Sequence, residues 1–231
     1  MNYFAIGDVH GQIFKLKALI DKLYIRENDI VVFLGDYIDR GDFSFEVIDF
    51  LIDLGKKHNC VFLKGNHELM FMDYLSGINE DVWLWNGGRK TIANYEKHGC
   101  DMAPFTDYIE RWLPRDHITF FQKLKPYYEV EDFIFVHAGI FPGTPMENMP
   151  DEILYWDRSF MYNARNYVGK TVVCGHSPAP TVANYKHAIC VDTGACFEHM
   201  GDLTCVKLPA REFVRQGPTL EDLDHEKSSS G

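Results

Sequence analysis

Five short apolar runs in this chain end alike, in a glycine beside an aspartate, an asparagine or a histidine. Residues 2–6 lead into Gly7-Asp8-Val9-His10-Gly11, residues 30–34 into Gly35-Asp36-Tyr37-Ile38-Asp39-Arg40-Gly41, and residues 60–64 into Gly65-Asn66-His67-Glu68. Residues 133–136 lead into His137-Ala138-Gly139, and residues 171–174 into Gly175-His176. β-Branched and aromatic residues dominate the runs, which marks them as strands. Between the first two, Ile13, Leu16, Ile20 and Leu23 recur at helical spacing. Between the second and third, Val47, Ile48, Leu51 and Leu54 do the same, in a helix expected to end near Gly55. This alternation requires an α/β fold with a parallel or mixed sheet and helices packed on it.

Open α/β sheets bind ligands at the carboxyl ends of their strands, where all five polar groups fall. A single aspartate after a strand is ordinarily a turn or cap residue, and a single histidine beside glycine a turn residue. Five in one chain point to a common site. Its donors are oxygen and nitrogen without thiolate. That set suits Mn²⁺, Fe or Zn²⁺, and it is too rich in histidine for Ca²⁺. If Asp8, Asp36 and Asp39 converge, their charges repel unless cations neutralise them.

Residues 67–125 read as helices rich in aromatics: Phe71, Tyr74, Trp83, Trp85, Tyr95, Phe105, Tyr108, Trp112, Phe120 and Phe121. Core packing accounts for them, with a wall facing substrate as the alternative. Further strands are expected at 127–136, 171–174, 187–191, 203–206 and 211–214. One domain is expected over 1–216, followed by a polar, disordered tail over 217–231. The six cysteines form no Cys-x-x-Cys pair and read as buried free thiols in a reducing, cytoplasmic setting. No run approaches the roughly 20 apolar residues of a membrane span, and residues 1–6 read as a strand rather than a leader. The balance of 23 basic and 34 acidic residues leaves a net charge of −11, which weighs against stable nucleic-acid binding.

Taken in order, Gly-Asp-x-His-Gly, Gly-Asp-x-x-Asp-Arg-Gly, Gly-Asn-His-Glu and two separated histidines resemble the calcineurin-like metallophosphoesterases, specifically the phosphoprotein phosphatases of bacteria and phages. The blocks span residues 7–176, and Asp192-Thr193-Gly194-Ala195 resembles a later segment of that family. The resemblance implies an αββα sandwich, two mixed β-sheets flanked by helices. It also implies two divalent metal ions, with Mn²⁺ the best match and Fe or Zn as alternatives. Asp8, His10 and Asp36 would hold the first. Asp36 would bridge to the second, held also by Asn66, His137 and His176. His67, hydrogen-bonded to Asp39, would protonate the leaving group. Arg40, Arg158 (in Tyr155-Trp156-Asp157-Arg158) and Asn86 (before Gly87-Gly88) would contact substrate. The residues suit the chemistry: paired metals lower the pKa of a bridging water so that hydroxide attacks phosphorus directly, and arginines present forked donors to phosphate oxygens.

The implied activity is that of a phosphomonoesterase acting on phosphoproteins or small phosphoesters. The alternative is hydrolysis of diadenosine polyphosphates or of RNA 5′ ends. Asp39 and Glu68 tilt the choice to the first, because the symmetrical tetraphosphatase branch usually lacks an aspartate at the former position and often carries one at the latter. An inactive scaffold would be expected to have lost a ligand or the acid, and none is missing. Two departures from the family stand out. No Ser-Ala-Pro-Asn-Tyr-type loop is present, and His137 is followed by Ala138 rather than glycine. His199 reads as a loop residue, and the specificity surface is expected within 77–125.

Overall fold

The computed structural model describes residues 1–102, 113–197, 201–219 and 221–222. Two five-stranded sheets form the frame. In the first, β1 (Tyr3–Ile6), β2 (Ile30–Phe33) and β3 (Asn59–Phe62) run parallel. In the second, β4 (Tyr127–Glu129) lies antiparallel to β5 (Phe133–Val136), and β5, β6 (Thr171–Cys174) and β8 (Ala188–Cys190) run parallel. The short β7 (Ala183–Asn184) closes that sheet antiparallel to β8. β9 (Leu203–Leu208) and β10 (Glu212–Gln216) return antiparallel to the first sheet. The spatial orders are β10-β9-β1-β2-β3 and β4-β5-β6-β8-β7.

Successive strand residues point to opposite faces, and the central strands β1, β5 and β8 are buried on both. Tyr3, Ala5, Val32, Leu34 and Val206 of the first sheet and its loops share one apolar cluster with Phe133, Phe135, Val173 and Ile189 of the second. The alternate residues Phe4, Ile6, Val31 and Phe33 pack instead with Leu16 and Leu19 of α1 (Ile13–Lys22) and Val47, Ile48 and Leu51 of α2 (Ser44–Lys57). On the far side, Ile134, Val136, Val172 and Cys174 pack with Leu154 and Tyr155 of α7 (Asp151–Trp156) and Phe160 of α8 (Ser159–Asn163). Helix, sheet, sheet and helix therefore stack in that order. Among the described residues, four more helices occupy the middle of the chain: α3 (Asn66–Leu75), α4 (Glu80–Trp83), α5 (Arg89–Lys97) and α6 (Arg115–Lys123).

Several expectations are adjusted. The run 127–136 is a hairpin, not one strand, because the polar stretch Glu131-Asp132 turns the chain and Val130 N–H bonds Phe133 O at 2.9 Å. α2 runs past Gly55 to Lys57, and a β-carbon at Gly55 would come within 3.2 Å of the Phe62 ring. All six cysteines are free, but Cys60, Cys100 and Cys196 are only half-buried. Phe71, Tyr74, Trp83, Tyr95, Phe120 and Phe121 are core, whereas Trp85 is 82% exposed. Phe105, Tyr108, Trp112 and His199 lie outside the described residues. So does the tail beyond Asp222, while Thr219 N–H still caps onto Asp222 Oδ2 at 2.6 Å. Among the described residues no helix is long and apolar enough to cross a membrane.

Phe135 is fully buried between the sheets. Phe135→Ala is expected to lower stability by about 3–5 kcal/mol in equilibrium urea unfolding.

Candidate active site

The tips of β1, β2 and β6 and the start of α3 meet at one end of the sandwich. Five residues there adopt left-handed backbone: His10 (φ 46°), Asp36 (53°), Asp39 (70°), Arg40 (65°) and His176 (63°). For a residue with a β-carbon this costs on the order of 1–3 kcal/mol, so neighbours must hold it. Glu68 is the main holder. Its carboxylate accepts N–H bonds from Asp36 (2.9 Å), Tyr37 (2.8 Å) and Gly65 (3.0 Å). Asp36 O in turn accepts from the N–H groups of Val9 and His10, both at 2.9 Å. The fit leaves no spare volume: a β-carbon on Gly65 would overlap Asp36 Oδ1, and one on Gly175 would overlap Asp8 Oδ1.

Three histidines are oriented by backbone carbonyls. His10 Nδ1 bonds Ile38 O (2.8 Å), His137 Nδ1 bonds Leu34 O (2.9 Å), and His176 Nε2 bonds Trp156 O (3.2 Å). A carbonyl only accepts, so these nitrogens carry the protons. Burial holds all three rings well below the usual histidine range in the case of His10 and His137, and down to about 4 in the case of His176. The rings are neutral, and the other nitrogen of each presents a lone pair inward.

Those lone pairs meet other acceptors. His137 Nε2 and His176 Nδ1 lie 2.9 and 3.0 Å from Asn66 Oδ1. Asp36 Oδ1 is 3.5 Å from His137 Nε2, and Asp36 Oδ2 is 3.5 Å from His10 Nε2. Each carboxylate oxygen of Asp36 thus faces a different ring. Ligand-capable atoms of Asp36, His137 and His176 fall within 4.8 Å of one another, as do those of His10, Asp36 and His67. Acceptor facing acceptor is repulsive unless a cation lies between them, so the donor set fits divalent metal. An arginine supplies positive charge in one place, where Arg40 Nη1 donates to His10 Nε2 at 2.8 Å.

Asp8 belongs to neither triplet. It accepts the His176 N–H at 3.1 Å, and burial, Asp192 and Asp36 push its carboxyl well above the usual range. Burial and Glu68 do the same to Asp36. Asp192, pushed up to about 6 by burial, completes this acidic cluster. Only its neighbourhood was singled out from the sequence, without a role.

His67 and Asp39 form a close pair, Nδ1 to Oδ2 at 2.6 Å, both fully buried. Asp39 is also gripped by Trp83 Nε1 (2.8 Å, to Oδ2) and Thr91 Oγ1 (2.6 Å, to Oδ1). Burial raises the Asp39 carboxyl to about 7 against these bonds. His67 Nε2 is the one buried side-chain polar atom among the described residues without a hydrogen-bond partner, and it lies 4.0 Å from Asp36 Oδ2. Trp83 and Thr91 lie outside every motif. Trp83 read as core, and nothing in its spacing marks the indole donor.

Arg40, Asn66, Asn86, Arg158 and His176 line one cavity of about 420 Å³ together with Asp36. All three expected substrate contacts therefore reach it. Arg40 also packs its guanidinium 5.6 Å from the Phe197 ring centre. The Asn86 amide donates to Val82 O at 2.7 Å. Within the described part of 77–125, Asn86 is the residue that reaches the cavity lining, and Trp83 and Thr91 act on Asp39 instead.

The sequence model of the calcineurin-like phosphoesterases matches residues 1–210. The protein from Anoxybacillus flavithermus named bis(5′-nucleosyl)-tetraphosphatase PrpE [asymmetrical] is 28% identical over 246 residues, covering 95% of this chain and 96% of its own length. Among solved structures, one described as a "putative diadenosine tetraphosphatase" superposes with a TM-score of 0.68 at 20% identity, over 95% of this chain and 94% of that one. A serine/threonine phosphatase from Saccharomyces cerevisiae, described as similar to human phosphatase PP5, gives 0.62 at 14% identity, over 95% and 80%.

Two measurements follow from the geometry. A chelator is expected to lower the melting temperature and Mn²⁺ to restore it, by about 2.7 kcal/mol at a free concentration 100 times the Kd; no shift in either direction would remove the case for a tight site. Trp83→Phe keeps the ring that packs on Phe71 and Tyr74 but deletes the donor to a buried carboxylate. Its expected cost is about 1.5–3 kcal/mol in denaturant unfolding.

Proposed function

Because this chain belongs to the calcineurin-like phosphoesterases and is a hydrolase, we propose that it cleaves dinucleoside polyphosphates, with diadenosine tetraphosphate as the representative substrate. The observation that carries this reading is the likeness to a named asymmetrical tetraphosphatase along nearly the whole of both chains. Asp39 and Glu68, which favour a phosphomonoesterase when the sequence is read alone, do not oppose it. Related chains with a complete Asp-Arg-Gly also cleave dinucleotides.

In this reading Asp8, His10 and Asp36 would hold one divalent ion, and Asp36, Asn66, His137 and His176 would hold another, with Mn²⁺ the best match to an oxygen and imidazole set. When bound, such ions would supply positive charge against the phosphate oxygens and would lower the pKa of a bound water. Arg158 and Arg40 present guanidinium donors to phosphate oxygens. For Arg40 this means exchanging its bond to His10 for one to substrate. His67 delivers a proton from Nε2 to the leaving oxygen, while Asp39 holds the ring by Nδ1 and favours its charged form against burial, which holds the ring well below the usual histidine range. Trp83 and Thr91 fix Asp39 so that the ring cannot swing.

The Asp39–His67 pair also supports a second reading, a phosphomonoesterase acting on phosphoproteins. A serine alkoxide is a far more basic leaving group than a nucleotide and depends more on such an acid. A side-by-side kcat/KM with Mn²⁺ for diadenosine tetraphosphate and a phosphoserine peptide decides between them. The expected preference is for the dinucleotide, and a clear peptide preference would replace this reading with the second. His67→Asn is expected to keep Mn²⁺ binding and lose about 10²–10⁴-fold in turnover, the usual range for a general acid. The loss should be smallest with p-nitrophenyl phosphate, whose leaving group needs no proton.

A further inference from the structure

The site cavity has a neighbour. A second cavity of about 310 Å³ lies against it, and Arg158 and Pro178 line both. Its chemistry differs from that of the first. Met161, Tyr162 and Tyr185 give it an apolar, aromatic wall, and Ser177 and Thr181 add hydroxyls. Asp192 stands at the end towards Asp8. Tyr162 is 84% exposed, an unusual position for a large aromatic. Arg165 lies 5.5 Å over the Tyr185 ring and steadies it.

We propose that this second cavity is a nucleoside subsite, taking one base against Tyr162 and Tyr185 and its ribose against Ser177 and Thr181, with the phosphate chain leading across Arg158 into the site cavity. The assignment rests on the dinucleotide reading given above and names where one end of that substrate sits. Three features favour it. Aromatic faces bind any base by stacking, with little dependence on its identity. The one cation in the lining, Arg158, stands at the junction, where a chain of phosphates must pass. Asp192 repels phosphate, so the inner end suits sugar or base rather than the anionic part of the ligand. A compact cavity of this volume also fits a planar heterocycle with its sugar better than an extended run of peptide.

The test compares wild-type protein, Tyr162→Ala, the pair Tyr162→Ala/Tyr185→Ala, and Ala179→Trp, which places an indole in the cavity lining. The readout is the ratio of kcat/KM for diadenosine tetraphosphate to kcat/KM for p-nitrophenyl phosphate, with Mn²⁺ present. The expected result is a fall of about tenfold in that ratio, carried by KM, as for loss of a base-stacking side chain. Tyr162 is so exposed that Tyr162→Ala removes little packing, which keeps one variant informative if another misfolds. An unchanged ratio in a wild type that cleaves the dinucleotide overturns the subsite and leaves the proposed activity standing. A wild type without dinucleotide turnover overturns that activity instead. Equilibrium binding of AMP to the same proteins then decides the subsite by itself: weaker binding by the variants supports it, and equal or absent binding overturns it.

Discussion

One buried carboxylate sets the geometry of this site. Glu68 gathers three backbone N–H groups from two separate strand ends, and so locks the turn after β2 against Gly65, the residue that caps α3. Burial raises its carboxyl to about 7 while the three bonds pull it down. Asp36 is placed by that lock. From Asp36 follow the positions of His10 and Val9, whose N–H groups bond its carbonyl, and of His67, whose N–H bonds its Oδ1 at 3.1 Å. Left-handed backbone at Asp36, Asp39 and Arg40 persists because this network over-determines it.

The histidines show a second layer of the same logic. Each ring that faces Asp36 or Asn66 donates its outer N–H to a main-chain carbonyl. Ring orientation and tautomer are therefore fixed by the strands and loops rather than by any ligand, which is the arrangement that raises ligand basicity in metal sites. Desolvation opposes charge on every one of these groups, so the polar cluster is costly by itself and tolerable when a cation satisfies it. His67 departs from the pattern. Its outer nitrogen bonds a carboxylate instead of a carbonyl, which favours the protonated ring, while burial, as for the others, and the nearby Arg40 hold it well below the usual histidine range.

Strand ends were readable from sequence because glycine and a polar residue interrupt an apolar run at the point where the pleat stops. α1 was readable from its three- and four-residue spacing. Tyr127–Val136 was not, since a hairpin built from two short apolar runs looks like one strand unless Glu131-Asp132 is weighed as a turn. Trp83 shows a different limit. An indole in an aromatic helix pair satisfies every expectation for core, and its donor is noticed only once Asp39 stands beside it. Glu68 was legible as part of a motif, but its three backbone partners come from chain segments that only the fold brings together. Asp192 is the same case, set against Asp8 by the packing of one sheet on the other.

The site draws on both sheets. Asp8, His10, Asp36, Asn66 and His67 come from the first, and His137 and His176 from the second, with Asp8 and His176 in direct hydrogen bond across 168 positions of sequence. During synthesis the chain therefore emerges with its carboxylates first and its last imidazole much later. A half-made chain on the ribosome already carries Asp8, Asp36 and Asp39 but lacks the neutral donors that complete the set. The first sheet closes later still, because β9, which pairs with β1, follows His176 in the chain, so a metal ion that needs donors from both sheets would find its full set only once nearly the whole chain is made.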